Sequence, residues 1–189
     1  MILGLVLFLG VHAVSTQRDL RARLIGMSGE PVYKILYSVI SLLGLVLVVR
    51  GYASYRATGW VDVWMPPRGM RHLTVALMLP ATILVAASYL RGRIYTTLKH
   101  PMLAGVKLWA LAHLVSNGDL GSIILFGSFL AWAVFDRISL KRRVDAGAPP
   151  IPVGGVKNDV LAVVVGLIIY VALGFAFHPV VIGVPVFGV

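Results

Sequence analysis

Six apolar runs constrain this chain more than any other feature. They are Met1–Ser15, Pro31–Tyr55, Met70–Leu90, Pro101–Val115, Leu120–Phe135 and Val160–Phe177. A run of ~20 apolar residues spans the ~30 Å hydrocarbon core of a bilayer as a helix. A helix also satisfies every backbone N–H and C=O where no water can. Of the 189 residues 59% are hydrophobic and 13% charged, and the mean hydropathy is +0.91. A soluble globule of that length has too much surface for its volume to hide so much apolar area. The fold expected is all-α, a polytopic membrane helix bundle of about six transmembrane helices. Irregular linkers too short to fold alone would join them.

Local breakers set the boundaries. Ser28-Gly29-Glu30-Pro31 reads as a helix start with Pro in the first turn. Pro66-Pro67-Arg68-Gly69 and Lys99-His100-Pro101 end one helix and open the next. Asn117-Gly118-Asp119 reads as a tight turn, with Asp119 and Asp136 solvated at the two ends of the fifth helix. The stretch from Ala146 to Gly155 is rich in Pro and Gly and reads as the flexible loop. The first run lacks a preceding Lys or Arg, so it reads as a retained helix rather than a cleaved signal peptide.

The formal net charge is +10. Its placement argues against nucleic acid, because the Lys and Arg residues lie in short segments between apolar runs with no basic helix face. They suit anionic lipid headgroups and set topology. Arg18, Arg21, Arg23 and Lys34 mark the first loop as cytoplasmic, Arg91, Arg93 and Lys99 the third, and Arg137, Lys141, Arg142, Arg143 and Lys157 the fifth. Both termini are then outside. The second loop votes the other way, with Arg50, Arg56, Arg68 and Arg71. There is no cysteine, which removes disulfides, Cys-ligated metals and a Cys nucleophile. No HExxH, GxxxxGK[ST] or Ser/His/Asp pattern supports soluble-enzyme chemistry.

A polar group inside lipid is costly, which makes each one a functional candidate. Imidazole ligates haem iron while neutral. His12 falls on a face with Gly4 and Phe8, and His113 on a face with Gly105, Trp109 and Asn117, at intervals of four. Small, aromatic and imidazole groups on one stripe suit a flat aromatic ligand. They equally suit glycine-mediated helix packing with histidine bonding across it. His12 and His113 are the candidate metal ligands. His113 lies nearer its helix end than His12, so His72, closer to it in depth, stands as substitute ligand. Arg71 is either a headgroup anchor or a partner for a haem propionate. Lys107 either snorkels or pairs with an acidic ligand group, and Trp109 would wall the cofactor. His100 lies thirteen residues before His113, ~20 Å along a straight helix, so those two cannot share an iron. His178 falls on a stripe with Gly166, Tyr170 and Gly174 that reads as packing.

The segment HPMLAGVKLWALAHLVSNGDLGSIILFGSF at 100–129, with GLVLFLGVHAVS near the start and RHL at 71–73, resembles the NnrU family over residues 1–140. Residues 141–189, a Pro/Gly-rich loop with the last transmembrane helix and tail, lie outside the quoted motifs. The resemblance implies a multi-pass protein of the bacterial inner membrane linked to nitric oxide and nitrite metabolism in denitrification. The family is similar to plant zeta-carotene isomerase, a haem b protein that isomerises a cis double bond. By that similarity His12 and His113 match the proposed axial ligands, and His72 and His100 match other histidines. The plant enzyme has a cysteine near the position of Ala110; this chain has none, so a thiolate ligand switch is impossible here. The HP-x-x-x-G element at 100–105 is also similar to part of a motif in S-adenosylmethionine-dependent membrane methyltransferases. Three functions follow as expectations: a haem b protein acting in nitrogen-oxide or redox-dependent isomerase chemistry, with haem and a lipophilic small molecule as partners; a membrane methyltransferase; or a non-enzymatic accessory subunit.

Overall fold

The computed structural model describes residues 1–142, 151 and 154–187. In chain order the helices are α1 (Ile2–Val14), α2 (Arg18–Ser28), α3 (Glu30–Thr58), α4 (Met70–Leu90), α5 (Arg93–Leu98), α6 (Pro101–Ser116), α7 (Leu120–Arg142) and α8 (Val156–Ala172). α8 continues into a π-helical segment, Leu173–Ile182. The protein is all-helical, and α3, α4, α7 and Val156–Ile182 are each long and apolar enough to cross a membrane.

Among the described residues the spans of that length number four, not six. The other two expected spans are apolar but short. α1 has 13 residues and α6 has 16, ~20 Å and ~24 Å at 1.5 Å per residue against a ~30 Å core. The helices end at Ser15 and Asn117, close to where the apolar runs end, so the shortness of these two is already present in the sequence. The linkers are also less irregular than expected, because α2 and α5 lie within them. α2 carries Arg18, Arg21 and Arg23 on a helix, and the Arg21 guanidinium sits 5.6 Å over the Tyr33 ring. The expected loop at Ala146–Gly155 falls largely outside the described residues.

The chain divides into two compact units. The first comprises Met1–Met65 and Gly118–Arg143. Here α1 packs on α3 at glycines: a Cβ on Gly4 would meet Val48 N at 2.5 Å and Gly44 O at 2.7 Å, and one on Gly44 would meet Phe8 N at 2.7 Å. Leu5 and Val48 are buried beside this seam. Much of α3 faces outward with large apolar side chains, Ile35 and Leu42 each 62% exposed, a surface suited to lipid and not to water.

Two loops pair within this unit. Gly118 O accepts from the N–H groups of Val63 and Trp64 at 2.9 and 3.1 Å, and Leu120 N–H donates to Val61 O at 2.9 Å. Asp119, expected in solvent, is 1% exposed. Its Oδ1 accepts the Ser122 N–H at 2.8 Å, which caps the otherwise unsatisfied first turn of α7. Ser122 in turn shares a 2.7 Å hydrogen bond with the Tyr52 hydroxyl. Asp119→Ala is expected to lower stability by about 1–2 kcal/mol, whereas Asp119→Asn keeps the Oδ1 acceptor and most of the stability. Thermal unfolding in detergent checks this, and equal losses would show that the cap is not what Asp119 contributes.

The second unit comprises Pro66–Asn117 and Val144–Val189. α4 packs against both α6 and α8. Gly105 of α6 lies on α4, where a Cβ would meet Ala81 O at 2.9 Å; Gly166 of α8 does the same on the other side, at 2.6 Å from Ile83 Cα. Ala86, Ala87 and Ala162 form the buried centre near the chain reversal after α4. There Asn158 Nδ2 donates to Leu90 O at 2.8 Å, and Asp159 Oδ1 accepts the Ile94 N–H at 2.9 Å. At the opposite end of α4, Thr74 Oγ1 donates to Ala112 O at 2.7 Å and the Tyr170 hydroxyl to Val75 O at 3.2 Å.

Candidate functional site

The two histidines expected as metal ligands fall in different units, His12 in the first and His113 in the second. Each is held by the same local device. His12 Nδ1 lies 2.6 Å from Phe8 O and His113 Nδ1 lies 2.8 Å from Trp109 O, both four residues back on the same helix. A backbone carbonyl only accepts, so Nδ1 is the donor. The neutral ring then carries its lone pair on Nε2. The stripe of residues four apart supplies this bond, because i and i−4 lie one above the other on a helix.

In the first unit the His12 ring is surrounded by aromatic rings. Phe8 lies at 4.3 Å between centroids, Tyr37 at 5.3 Å and Trp132 at 5.6 Å, edge-on. Tyr33 stands one ring further, 6.3 Å from Tyr37. Trp132 Nε1 and the Tyr33 hydroxyl are buried with no hydrogen-bond partner, which costs roughly 1–3 kcal/mol per group unless something else accepts. A cavity of about 410 Å³ in the same unit is lined by Met1, Ile2, Tyr55, Leu120, Gly121 and Ile124; no histidine borders it.

In the second unit His113 sits near the end of α6. Asn117 Nδ2 donates to its carbonyl at 2.9 Å, and the Trp109 ring lies 5.5 Å from its imidazole. Trp109 thus stands beside His113 as the stripe implied. The unexpected neighbour is His178 of the π-helical segment, with centroids 6.1 Å apart and rings inclined by 29°. His178 Nδ1 is buried with no hydrogen-bond partner.

The remaining candidates are placed elsewhere in the second unit. His72 is exposed on the first turn of α4. Arg71 beside it holds the chain end: Nε and Nη2 donate to Val186 O at 3.1 and 2.6 Å, and Nη2 to Pro185 O at 3.2 Å. Lys107 is half-buried midway along α6. His100 is the N-cap residue of α6, at the far end of that helix from His113. Pro101 is buried at the start of α6 and Gly105 carries its close approach to α4, so the HP-x-x-x-G element has a packing use here. The Gly166–Tyr170–Gly174 stripe packs as expected, with Gly166 and Gly174 buried, but His178 at its end adds a ring to the His113 neighbourhood.

No curated protein and no solved structure gives a significant match to this chain. The family model described as NnrU protein matches residues 1–186, well past the motifs at 1–140, and takes in the last helix and His178. With its transmembrane-type helices and a match over essentially its whole length, the chain belongs to the NnrU family.

Proposed function

We propose that this membrane protein binds haem b through imidazole nitrogen, with His12 as the iron ligand of the first unit or His113 as that of the second. The observation that carries this reading is the shared Nδ1–H to carbonyl bond. It orients each ring, sets the tautomer and leaves the ligating lone pair on Nε2, as outer hydrogen bonds do for metal-bound histidine. The orphaned Trp132 Nε1 beside His12 and His178 Nδ1 beside His113 are polar atoms that a bound group would satisfy. When bound, haem b supplies one-electron redox chemistry and affinity for small diatomic molecules. The protein's part is to hold the ligand, exclude water and supply apolar walls, Trp109 beside His113 or the Phe8, Tyr37 and Trp132 rings beside His12.

The function that follows is nitric oxide or nitrite-linked chemistry in the bacterial inner membrane, or redox-dependent cis–trans isomerisation of a lipophilic substrate. In that setting α1 and α6 join the four longer spans as short bilayer helices, with both chain ends outside. This reading is favoured over the methyltransferase because His100, Pro101 and Gly105 are accounted for by the start and packing of α6.

The test is an absorbance spectrum of the full chain, expressed with ample haem and purified in detergent. A Soret band with resolved α and β bands on reduction is expected. His113→Ala is expected to lose most of it where the haem lies in the second unit, and His12→Ala where it lies in the first. Full retention of the band in both variants defeats the ligand assignment. No band in the wild type defeats the haem reading and leaves the accessory-subunit function.

A further inference from the structure

We infer that His178 supplies the second imidazole to the iron held by His113, so that the second unit carries a complete axial pair of its own. The inference rests on the haem reading above and names a ligand that the sequence motifs do not.

Three observations converge on it. The first is spacing. Two imidazoles bound to one metal at ~2.0 Å each put their ring centroids roughly 6.3 Å apart. The His113 and His178 centroids are 6.1 Å apart. Aromatic pairs elsewhere in the protein, such as Tyr55 and Trp60 at 6.1 Å, share this spacing, so it leaves room for a metal and the state of the nitrogens decides.

The second is the state of the nitrogens. His113 has its Nδ1 committed to Trp109 O, and His178 has a buried Nδ1 with no partner. An imidazole nitrogen left unpaired inside a bilayer-embedded unit is costly, and donation of the His178 Nδ1 lone pair to a metal resolves that cost.

The third is the backbone that brings His178 there. Along an α-helix a step of four residues overshoots the 3.6-residue turn, so the Gly166–Tyr170–Gly174 stripe drifts steadily around the helix. The π-helical turn takes in one residue more, and a step of four within it falls short instead. The change of register from Leu173 onward therefore reverses the drift and returns His178 to the side facing α6. The His178 carbonyl accepts from the N–H groups of Gly183 and Val184, which closes the segment on this residue. The residue is thereby fixed from its own backbone.

The donor count favours a haem iron over a bare ion. A protein-bound zinc or copper takes three or four protein donors, and among the described residues no three His, Cys, Asp or Glu side chains come together. Iron in a porphyrin needs only its two axial ligands from the protein.

Electron paramagnetic resonance and absorbance of the haem-loaded full chain test the assignment. The wild type is expected to be six-coordinate and low-spin. His178→Gly should retain the Soret band but become high-spin, and added imidazole should return it to low-spin, which a merely structural role for His178 would not produce. His12→Ala should retain the Soret band and stay low-spin. If His178→Gly remains six-coordinate and low-spin, His178 is not the ligand. If, in addition, His12→Ala is the variant that turns high-spin, His12 holds that position instead. A wild type with no Soret band overturns the haem reading itself, an outcome distinct from either.

Discussion

Gly4→Val should lower the unfolding midpoint of the detergent-purified protein by roughly 6–12 °C, corresponding to about 3 kcal/mol of overpacking at 2–4 °C per kcal/mol. The Cβ alone would meet Val48 N at 2.5 Å, Gly44 O at 2.7 Å and Leu47 C at 2.8 Å. All three are backbone atoms of α3, and none can swing away as a side chain would. Ordinary contact between non-bonded heavy atoms needs ~3.5–4.0 Å, so α1 and α3 must part by about an ångström. The neighbouring contact of Gly44 with Phe8 N at 2.7 Å opens with it. Gly10→Ala is the control. Nothing lies within 4 Å of its Cβ position, and replacing a mid-helix glycine by alanine gains about 0.5–1 kcal/mol. Both glycines belong to the same 13-residue helix, so propensity alone predicts the same sign for the two. Similar midpoints for both variants would mean that the seam between α1 and α3 is not as close as described.

Arg71→Gln should expose the chain end after the π-helical segment. The guanidinium makes three hydrogen bonds to the carbonyls of Pro185 and Val186, and bonds to a charged donor are worth ~1.5–3 kcal/mol each when well shielded. Arg71 is only half-buried, so the sum is discounted for solvent screening. About 1.4 kcal/mol of local stability, a tenfold rise in the opened fraction, is the expected minimum. Phe187 makes the rest of the attachment, 4.6 Å from the Phe175 ring and 6.0 Å from Tyr170. Chymotrypsin cleavage at Phe187 should therefore quicken at least tenfold in Arg71→Gln. Arg71→Lys should fall between, because an ammonium is a point donor and cannot fork across two carbonyls. An unchanged cleavage rate would show that the tail does not depend on Arg71, and would favour the anionic cofactor group first expected as its partner.

How much of this protein is legible without coordinates depends on the range of the interaction involved. The all-helical, membrane-type architecture follows from the apolar runs, since a bilayer admits few ways to satisfy a backbone. The helix starts at Glu30, Met70 and Pro101 follow from Gly and Pro chemistry within a few residues. The faces that put Phe8 with His12 and Trp109 with His113 are also local, whereas the Nδ1 bond of each ring to the carbonyl four residues back depends on the rotamer that packing selects. The lengths of α1 and α6, 13 and 16 residues, follow the apolar runs Met1–Ser15 and Pro101–Val115 to within two residues.

Asp119 shows the limit more sharply. Next to a Gly in a polar turn it reads as solvated. Pairing of its loop with residues 61–64, far away in sequence, buries it instead. His178 closes a helical stripe that reads as packing, and a change from α to π register brings it to His113. Arg71 reads as an anchor for headgroups or cofactor, and its partners lie 114 and 115 residues downstream.

By itself, then, the sequence determined that the chain is a helical membrane protein of the NnrU type, and which small and aromatic residues share a helix face with His12 and His113. Only the tertiary structure decided which distant groups those imidazoles meet, because contacts between helices depend on register and close approach that no single stretch of residues encodes.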